Sequence, residues 1–234
     1  MPFDPPLLPC TLLRRYKRFL ADVRFPDGQE ITVHCPNTGA MLGCSAPDSP
    51  AWVSLSDNKA RKYAHTLEIV RTQLGDVGVN TGRANRLVEE ALEAGTLQAL
   101  SGYESVRREA AIPDEKGRFD FELARPGDAG CFVEVKSMTL GRENGRGAFP
   151  DAVSERAARH VRALARQVQA GRRAVLLFCV QHTGIEVATL AEDIDPGYAE
   201  AVRKAVDEGV EVLAYGCEVD PAGIAITRPL AVDL

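Results

Sequence analysis

A glutamate and a lysine two residues apart, Glu134 and Lys136, are the residues of this chain best placed to do chemistry. They lie in residues 131–138, a run rich in valine and phenylalanine that is typical of a β-strand. Because side chains alternate across a strand, the carboxylate and the ammonium point to one face, and Val133 and Val135 point to the other. Such a strand either lies at the surface with its charges in water or forms a site.

A second carboxylate, Asp120, belongs to the preceding strand-like segment. Residues 118–123 alternate polar and apolar side chains, which indicates a half-buried strand, and residues 126–128 (Pro-Gly-Asp) are typical of a turn. A hairpin symmetric about Gly127 places Asp120 opposite Glu134 with Cβ atoms roughly 5 Å apart, whereas a bulge or a longer loop would shift this pairing. Like charges at that distance repel each other, and a divalent cation such as Mg²⁺ would offset the repulsion.

An aspartate followed by Glu-x-Lys on adjacent strands resembles the core of the metal-dependent nucleases of the PD-(D/E)XK type. The alternative for these residues is a solvated strand face. The resemblance implies Asp120 and Glu134 as catalytic metal ligands, Mg²⁺ or Mn²⁺ as the cofactor, and Lys136 as the catalytic lysine. The superfamily often adds an acid from the preceding helix, and Glu90 is the position that matches, with Glu89 as the alternative.

Composition and charge limit the class of protein. The 234 residues suffice for one large domain or two small ones, and 45% hydrophobic residues are typical of a soluble globular protein. We find no apolar run of about 18 residues and no signal-peptide pattern, so we expect a cytoplasmic protein without a membrane partner. The six cysteines form no Cys-x-x-Cys pair, which predicts reduced thiols.

Two local clusters of basic residues contain tyrosine, although the net charge of the chain is −5. The usual interpretation of a basic cluster is a solvated face. Interleaved tyrosines in an otherwise acidic chain favour an anionic polymer such as nucleic acid as partner. The predicted DNA-binding residues are Arg14, Arg15, Tyr16, Lys17 and Arg18 in the first cluster and Arg61, Lys62 and Tyr63 in the second.

The first 80 residues contain short β-compatible runs separated by glycine, proline and asparagine. They predict an OB-fold-like β-barrel that binds nucleic acid, which we assign to residues 1–80. The runs are 12–25, 30–34, 52–56, 66–72 and 77–80.

Residues 81–234 are predicted to form an α/β domain, so that the fold class is α/β with two domains. After the helix and the strand hairpin, Asp151 is the expected N-cap of a helix that ends at Gly171. His160 on this helix is either a phosphate contact or a surface histidine. Residues 174–180 are continuously apolar, which predicts a central buried strand. The remaining predicted elements are helices at 82–95 and 196–208 and a strand at 211–215.

The chain as a whole resembles the sugar fermentation stimulation protein A family. That resemblance implies an oligonucleotide-binding barrel followed by a nuclease-like (PD-(D/E)XK) domain. It also implies non-specific DNA binding linked to sugar (maltose) catabolism. Two functions stay open: a Mg²⁺-dependent deoxyribonuclease, and a catalytically silent DNA-binding regulator. The segments that resemble the family are 15–23, 34–41, 56–58 with 61–63, 79–81, 84–87, 132–137 and 149–153.

Overall fold

The N-terminal part of the chain folds into a six-stranded antiparallel sheet that closes on itself. The structure is a computed structural model and describes residues 1–113 and 115–234. The strand order is β3-β2-β1-β4-β5-β6, and a parallel pairing between β3 and β5 closes the first five strands into a barrel. These strands are β1 (Leu8–Tyr16), β2 (Leu20–Arg24), β3 (Glu30–His34), β4 (Ser49–Leu55), β5 (His65–Thr72) and β6 (Gly75–Gly78).

Alternating apolar side chains fill the interior of the barrel, as its strand pattern requires. Leu12, Val23, Val33, Val53 and Leu67 come from five different strands and are fully buried. The OB-fold-like barrel that the sequence predicted is confirmed.

The single predicted run 12–25 is wrong, because the chain reverses within it. A turn at residues 17–19 separates β1 from β2, and Tyr16 pairs with Leu20. Lys17 and Arg18 adopt φ values of 49° and 62° in this turn. The sequence gives no glycine or proline there to announce the reversal.

The second sheet has nine strands in the order β10-β11-β13-β15-β14-β12-β9-β8-β7 and mixes parallel and antiparallel pairs. Its strands are β7 (Ser105–Ala111), β8 (Arg118–Ala124), β9 (Cys131–Met138), β10 (Leu140–Gly141), β11 (Arg146–Phe149), β12 (Arg173–Val180), β13 (Val187–Leu190), β14 (Glu211–Asp220) and β15 (Gly223–Asp233). The helices are α1 (Ala84–Glu93), α2 (Glu155–Gln169) and α3 (Pro196–Asp207).

Helices cover both faces of the central strands β9 and β12. The helices α2 and α3 pack against each other, and α2 packs on one face of these strands, while α1 packs on the other. The strand β12 is apolar and buried along almost its whole length, as predicted for a central strand. The α/β fold class is therefore confirmed, and the strand β9, which carries Glu134 and Lys136, lies between two helical layers.

The N-terminus of α2 differs from the prediction. Ser154, and not Asp151, caps this helix, because its side chain accepts a hydrogen bond from the Ala157 N–H. Asp151 instead accepts a hydrogen bond from the Met41 N–H of the barrel (2.8 Å) and so joins the two sheets. The N-terminus of α3 is as predicted, with Pro196 at its first position and Asp195 as the cap.

Among residues 1–113 and 115–234, no helix combines the length and the apolar character needed to cross a bilayer.

Candidate active site

The strands β8 and β9 form the hairpin that brings the two predicted acids together. Phe121 pairs with Val133 and Leu123 with Cys131, which is the register of a hairpin symmetric about Gly127. The paired register ends at Phe121 and Val133, one residue short of Asp120 and Glu134. The Asp120 carboxylate curls onto β9, where its Oδ2 accepts a hydrogen bond from the Val135 N–H (2.7 Å).

Glu134 is almost completely buried, with 3% of its surface exposed, and its two carboxylate oxygens differ sharply. Oε1 receives both the Lys136 ammonium (2.6 Å) and the His160 Nδ1 atom (2.7 Å). Oε2 is buried and has no hydrogen-bond partner within the described part of the chain. An ionised carboxylate has about four acceptor positions, so half of this group is left unsatisfied in a region shielded from water.

Glu134 is held in its ionised form by its neighbours. Burial by itself raises the pKa of a carboxyl group, but the hydrogen bond from His160 and the charge of Lys136 outweigh it. The pKa of Glu134 therefore lies below its ordinary value. A negative charge is thus present in the middle of β9 at neutral pH.

The pKa of Asp120 shifts in the opposite direction. Burial and, next, the charge of Glu134 raise its pKa above the ordinary value, against the hydrogen bonds from the Val135 N–H and from Asn85. Asn85 belongs to α1, and its Nδ2 atom donates to Asp120 Oδ1 (2.7 Å). The two acids therefore repel each other, as the sequence suggested, and each is held by a helix from a different side of the sheet.

The third predicted acid is not brought to this pair. Glu90 accepts hydrogen bonds from the N-terminal ammonium of Met1 (2.9 Å) and from Arg86 (3.1 Å). Its alternative, Glu89, pairs with Arg108. Over residues 1–113 and 115–234, no group of three or more His, Cys, Asp or Glu side chains is arranged to hold a metal ion.

The pair Asp120 and Glu134 nevertheless suits a hard divalent cation. Mg²⁺ prefers oxygen ligands, keeps several of its own waters, and is often bound through only one or two carboxylates together with substrate phosphates. The unpartnered Oε2 atom of Glu134 is a buried anionic oxygen of this kind. Mutual repulsion between the two acids adds to the electrostatic demand for a cation.

His160 and Asn85 are the two contacts that sequence reasoning missed. His160 is 7% exposed and contacts Glu134, so the interpretation as a surface histidine is wrong. A signal was present: His160 lies three residues after Ala157 and four before Leu164, which places it within the buried stripe of α2. No comparable pattern marks Asn85, since its role depends on how α1 packs on the sheet.

The first predicted DNA-binding cluster divides into structural and exposed members. The Arg15 guanidinium donates to four backbone carbonyl oxygens, so it fastens the loops at this end of the barrel. Arg14 and Tyr16 both bond to Asp22. The carbonyl groups bound by Arg15 are those of Arg18, Asn37, Gly39 and Ala40.

The exposed cations lie together at one end of the barrel. Lys17 and Arg18 occupy the β1–β2 turn, and Arg61 and Lys62 occupy the loop between β4 and β5. These loops share an end because the start of β2 pairs with the end of β3, which pairs with the start of β5. The Lys62 ammonium lies over the ring of Tyr63, 5.4 Å from its centroid.

Two cavities lie beside the barrel. One of about 550 Å³ is lined by Arg61 and His34 of the barrel and by Arg83 and Arg86 near the start of α1. Another of about 240 Å³ lies between residues 37–39 and the segment that precedes α2, and Ser137, next to Lys136, is part of its wall. The first cavity therefore extends from Arg61 to the start of α1, and the second borders the end of β9.

Comparison with protein families matches both parts of the chain. A family model described as the SfsA N-terminal OB domain matches residues 13–80. A second model, described as the sugar fermentation stimulation protein RE domain, matches residues 82–223.

Individual relatives match over almost the whole length. A sugar fermentation stimulation protein homolog of Saccharophagus degradans is 51% identical over 99% of this chain and 100% of its own. The homolog of Shewanella piezotolerans is 49% identical over the full length of both chains. A solved structure, SfsA of Pyrococcus furiosus in complex with Ca²⁺, is 26% identical and superposes with a TM-score of 0.88 over 100% of this chain and 98% of that one. The chain therefore belongs to the sugar fermentation stimulation protein family.

Proposed function

We propose that this protein is a non-specific DNA-binding protein that hydrolyses phosphodiester bonds of DNA with Mg²⁺ or Mn²⁺. The observation that carries the proposal is the pair of acids on adjacent strands, the half-buried Asp120 and the buried Glu134. One carboxylate oxygen of Glu134 is unpartnered in the described residues, and a lysine lies two residues further on the same strand face. Asp120 and Glu134 would hold the cation, which when bound polarises the scissile phosphate and lowers the pKa of a bound water.

Lys136 supplies the positive charge next to the reacting phosphate. Its ammonium is held by Glu134 Oε1 in a partly buried position, with 15% of the side chain exposed. A lysine fixed in this way can donate to a phosphate oxygen as negative charge accumulates there in the transition state. It can also orient the attacking water, because it carries three donors.

DNA binding is assigned to the basic end of the barrel. The exposed cations there are Lys17, Arg18, Arg61 and Lys62. Within residues 1–113 and 115–234, none of them forms a salt bridge with a carboxylate. Contacts from such side chains to phosphates are independent of sequence and sensitive to salt. The exposed cations and the cavities beside them support binding of a nucleic-acid strand that runs toward the two acids.

The related structure from Pyrococcus furiosus adds support for the cation. That protein was solved in complex with Ca²⁺, a hard cation that takes oxygen ligands as Mg²⁺ does. Similarity to a cation-binding relative over the whole chain favours a divalent cation as the cofactor here.

A catalytically silent DNA-binding regulator of sugar (maltose) catabolism is the second candidate. The observation that favours it is the sharing of one oxygen, Glu134 Oε1, by both Lys136 and His160. A lysine already neutralised by a carboxylate has less charge to offer to a phosphate. The absence of a third acid near the pair, within the part of the chain that the structure describes, points in the same direction.

Cleavage of end-labelled single- and double-stranded DNA, with Mg²⁺, Mn²⁺ or EDTA, tests the proposal. The wild type is compared with Lys136→Ala and Glu134→Ala, and with the exposed matched controls Lys204→Ala and Glu218→Ala. We expect cation-dependent cleavage that falls by about 100- to 1,000-fold in Lys136→Ala and at least as far in Glu134→Ala. Both controls should cleave like the wild type, and all five proteins should bind DNA alike.

Equal cleavage by all five proteins would mean that the activity comes from elsewhere, and the nuclease proposal would be rejected. Undiminished DNA binding together with no cleavage by the wild type would establish the silent regulator instead.

A further inference from the structure

His160 is the only histidine in the described residues that contacts a predicted catalytic group, and nothing in the proposed nuclease chemistry so far gives it a role. It lies on the inward face of α2, in the same stripe as Val161 and Leu164, where an apolar residue would fit the packing. A buried polar ring is retained at a cost unless its nitrogen atoms are bonded. Its Nδ1 atom lies 2.7 Å from Glu134 Oε1.

The contact fixes the orientation of the glutamate. Lys136 approaches the same Oε1 atom at 2.6 Å, so two donors from different elements hold one oxygen, and rotation of the carboxylate about its last bond would break both contacts. The other oxygen, Oε2, is thereby directed into a place where the described residues offer it no partner. An oxygen that is held still and left free is what a cation ligand requires, because no ordering is then needed at binding.

A second unpartnered group lies in the same region. The Tyr198 hydroxyl of α3 is completely buried and has no hydrogen-bond partner among the described residues. Burial and, next, the charges of Glu134 and Asp195 raise the pKa of Tyr198. Two buried polar atoms, Glu134 Oε2 and the Tyr198 hydroxyl oxygen, therefore have no partner among the described residues, whereas Glu134 Oε1 has two.

The direction of the hydrogen bond assigns the proton of the ring. An ionised carboxylate only accepts hydrogen bonds, so the Nδ1 atom of His160 must carry a hydrogen to donate to Oε1. The Nδ1–H form of the ring follows, in which a neutral histidine has a bare Nε2 atom. This assignment can be measured directly in the wild-type protein.

We propose that His160 is a positioning residue of the cation site, which holds Glu134 Oε1 through its Nδ1–H group so that Oε2 faces a divalent cation. The inference rests on the proposed metal site and adds to it a residue from α2, a helix that carries none of the predicted metal ligands. The arrangement corresponds to the outer-shell partners of metal ligands, whose loss typically lowers metal affinity by about 10- to 100-fold.

Two amide substitutions separate positioning from packing. In His160→Asn, the Nδ2 donor occupies the place of Nδ1, because both are bonded to Cγ. In His160→Gln, the amide lies one bond further along and cannot reach Oε1 in the same way. We expect Mn²⁺ affinity, measured by titration calorimetry without DNA, to stay within about threefold of the wild type in His160→Asn and to fall by about 10- to 100-fold in His160→Gln.

The controls distinguish failure of this inference from failure of the proposed function. His65→Gln in the barrel should bind Mn²⁺ like the wild type, and Glu134→Gln should not bind it at this site. Wild-type affinity retained in His160→Gln would overturn the positioning role and leave the cation site intact. No Mn²⁺ binding by the wild type would overturn both.

A measurement on the unmodified protein covers the case in which a variant does not fold. Long-range ¹H–¹⁵N correlation spectra of the histidine rings report which nitrogen carries hydrogen. We expect a hydrogen on Nδ1 of His160. Diamagnetic Mg²⁺ is used in place of Mn²⁺ for the metal titration, and the signals of the His160 ring should change as Mg²⁺ is added to the metal-free protein. A neutral ring with hydrogen only on Nε2 would contradict the proposal.

Discussion

Two buried glutamates, one in the barrel and one in the second sheet, show how the same residue type serves different ends. Glu68 on β5 is 1% exposed and Glu134 on β9 is 3% exposed. Both oxygens of Glu68 are bonded, Oε1 to Ser54 and Arg83 and Oε2 to Asn80 and Arg83. Among the described residues, Glu134 has hydrogen-bond partners at one oxygen only. A buried charge that is fully paired is a structural element, whereas one that is half paired is an incomplete site.

The largest effect that would test this comparison is the loss of stability in Glu68→Gln. An amide NH₂ at either oxygen position would face two donors, and Arg83 would lose its charge partner. Breaking a buried ion pair by changing one partner costs about 3 kcal/mol or more. We expect a loss of that size in the free energy of unfolding, measured by urea denaturation. A loss below about 1 kcal/mol would contradict a structural role for Glu68.

The same substitution in the second sheet, Glu134→Gln, should change the stability little and abolish the activity. The NH₂ group can take the place of Oε2 without meeting a donor of the described residues. Loss of the negative charge also removes its repulsion of the Asp120 carboxylate. We therefore expect a stability change of only about 1 kcal/mol, together with complete loss of cation-dependent DNA cleavage. If Glu134→Gln were as destabilised as Glu68→Gln, the two glutamates would be equivalent, and the comparison would fail.

The two acids of the site, Asp120 and Glu134, should make opposite contributions to the pH dependence of stability. The raised pKa of Asp120 means that the folded protein holds this proton more tightly than the unfolded chain, so stability falls as pH rises from the ordinary Asp pKa of about 3.9 to the raised value. The lowered pKa of Glu134 acts oppositely: stability rises with pH between the lowered and the ordinary value, and is lost as pH falls through that range.

Denaturation of metal-free protein between pH 3 and 7 measures both contributions. Relative to the wild type, Asp120→Asn should gain stability as the pH rises through the Asp120 range, and Glu134→Gln should lose stability through the Glu134 range. Parallel pH profiles for all three proteins would show that neither acid is perturbed by folding.

The smallest predicted effect concerns the exposed end of the barrel, where charges are neither buried nor paired. Arg18 has φ 62°, a conformation that costs an L-residue about 1 kcal/mol and that glycine adopts freely. In Arg18→Gly we expect stability within about 1 kcal/mol of the wild type, a lower affinity for all DNA sequences alike, and a slope of log affinity against log salt reduced by about 0.9. An unchanged salt slope would place the DNA surface elsewhere.

Sequence reasoning succeeded where local rules decide the structure. The register of the β8–β9 hairpin follows from a short turn and from the alternation of side chains, both visible in residues 121–133. The central strand β12 follows from its continuous apolar run. By contrast, β7 was not predicted, because it is an exposed edge strand whose side chains are mostly in water and whose only pairing here is with β8 through the backbone.

The partners of the two acids could not be read from the sequence, since they come from packing between elements. Asn85 reaches Asp120 from α1, and His160 reaches Glu134 from α2, at separations of 35 and 26 residues. Glu90 matched the family pattern in sequence, but its orientation is set by Arg86 and the Met1 ammonium. Which face of a helix meets a strand depends on crossing geometry that periodicity does not specify.

Arg15 has a consequence for the products that a nuclease of this design would release. Its guanidinium joins the carbonyl of Arg18, in the basic turn, to those of residues 37–40, and the adjacent Met41 N–H is held by Asp151 of the second domain. Gly39 lies so close to Asp151 that a Cβ atom there would overlap its carboxylate. In the proposed nuclease, the point where the strand is bound and the point where it is cut would then lie at a constant separation. A strand bound by its end at the basic turn would be cut at one distance from that end, so its cleavage fragments would cluster around one length rather than spread evenly.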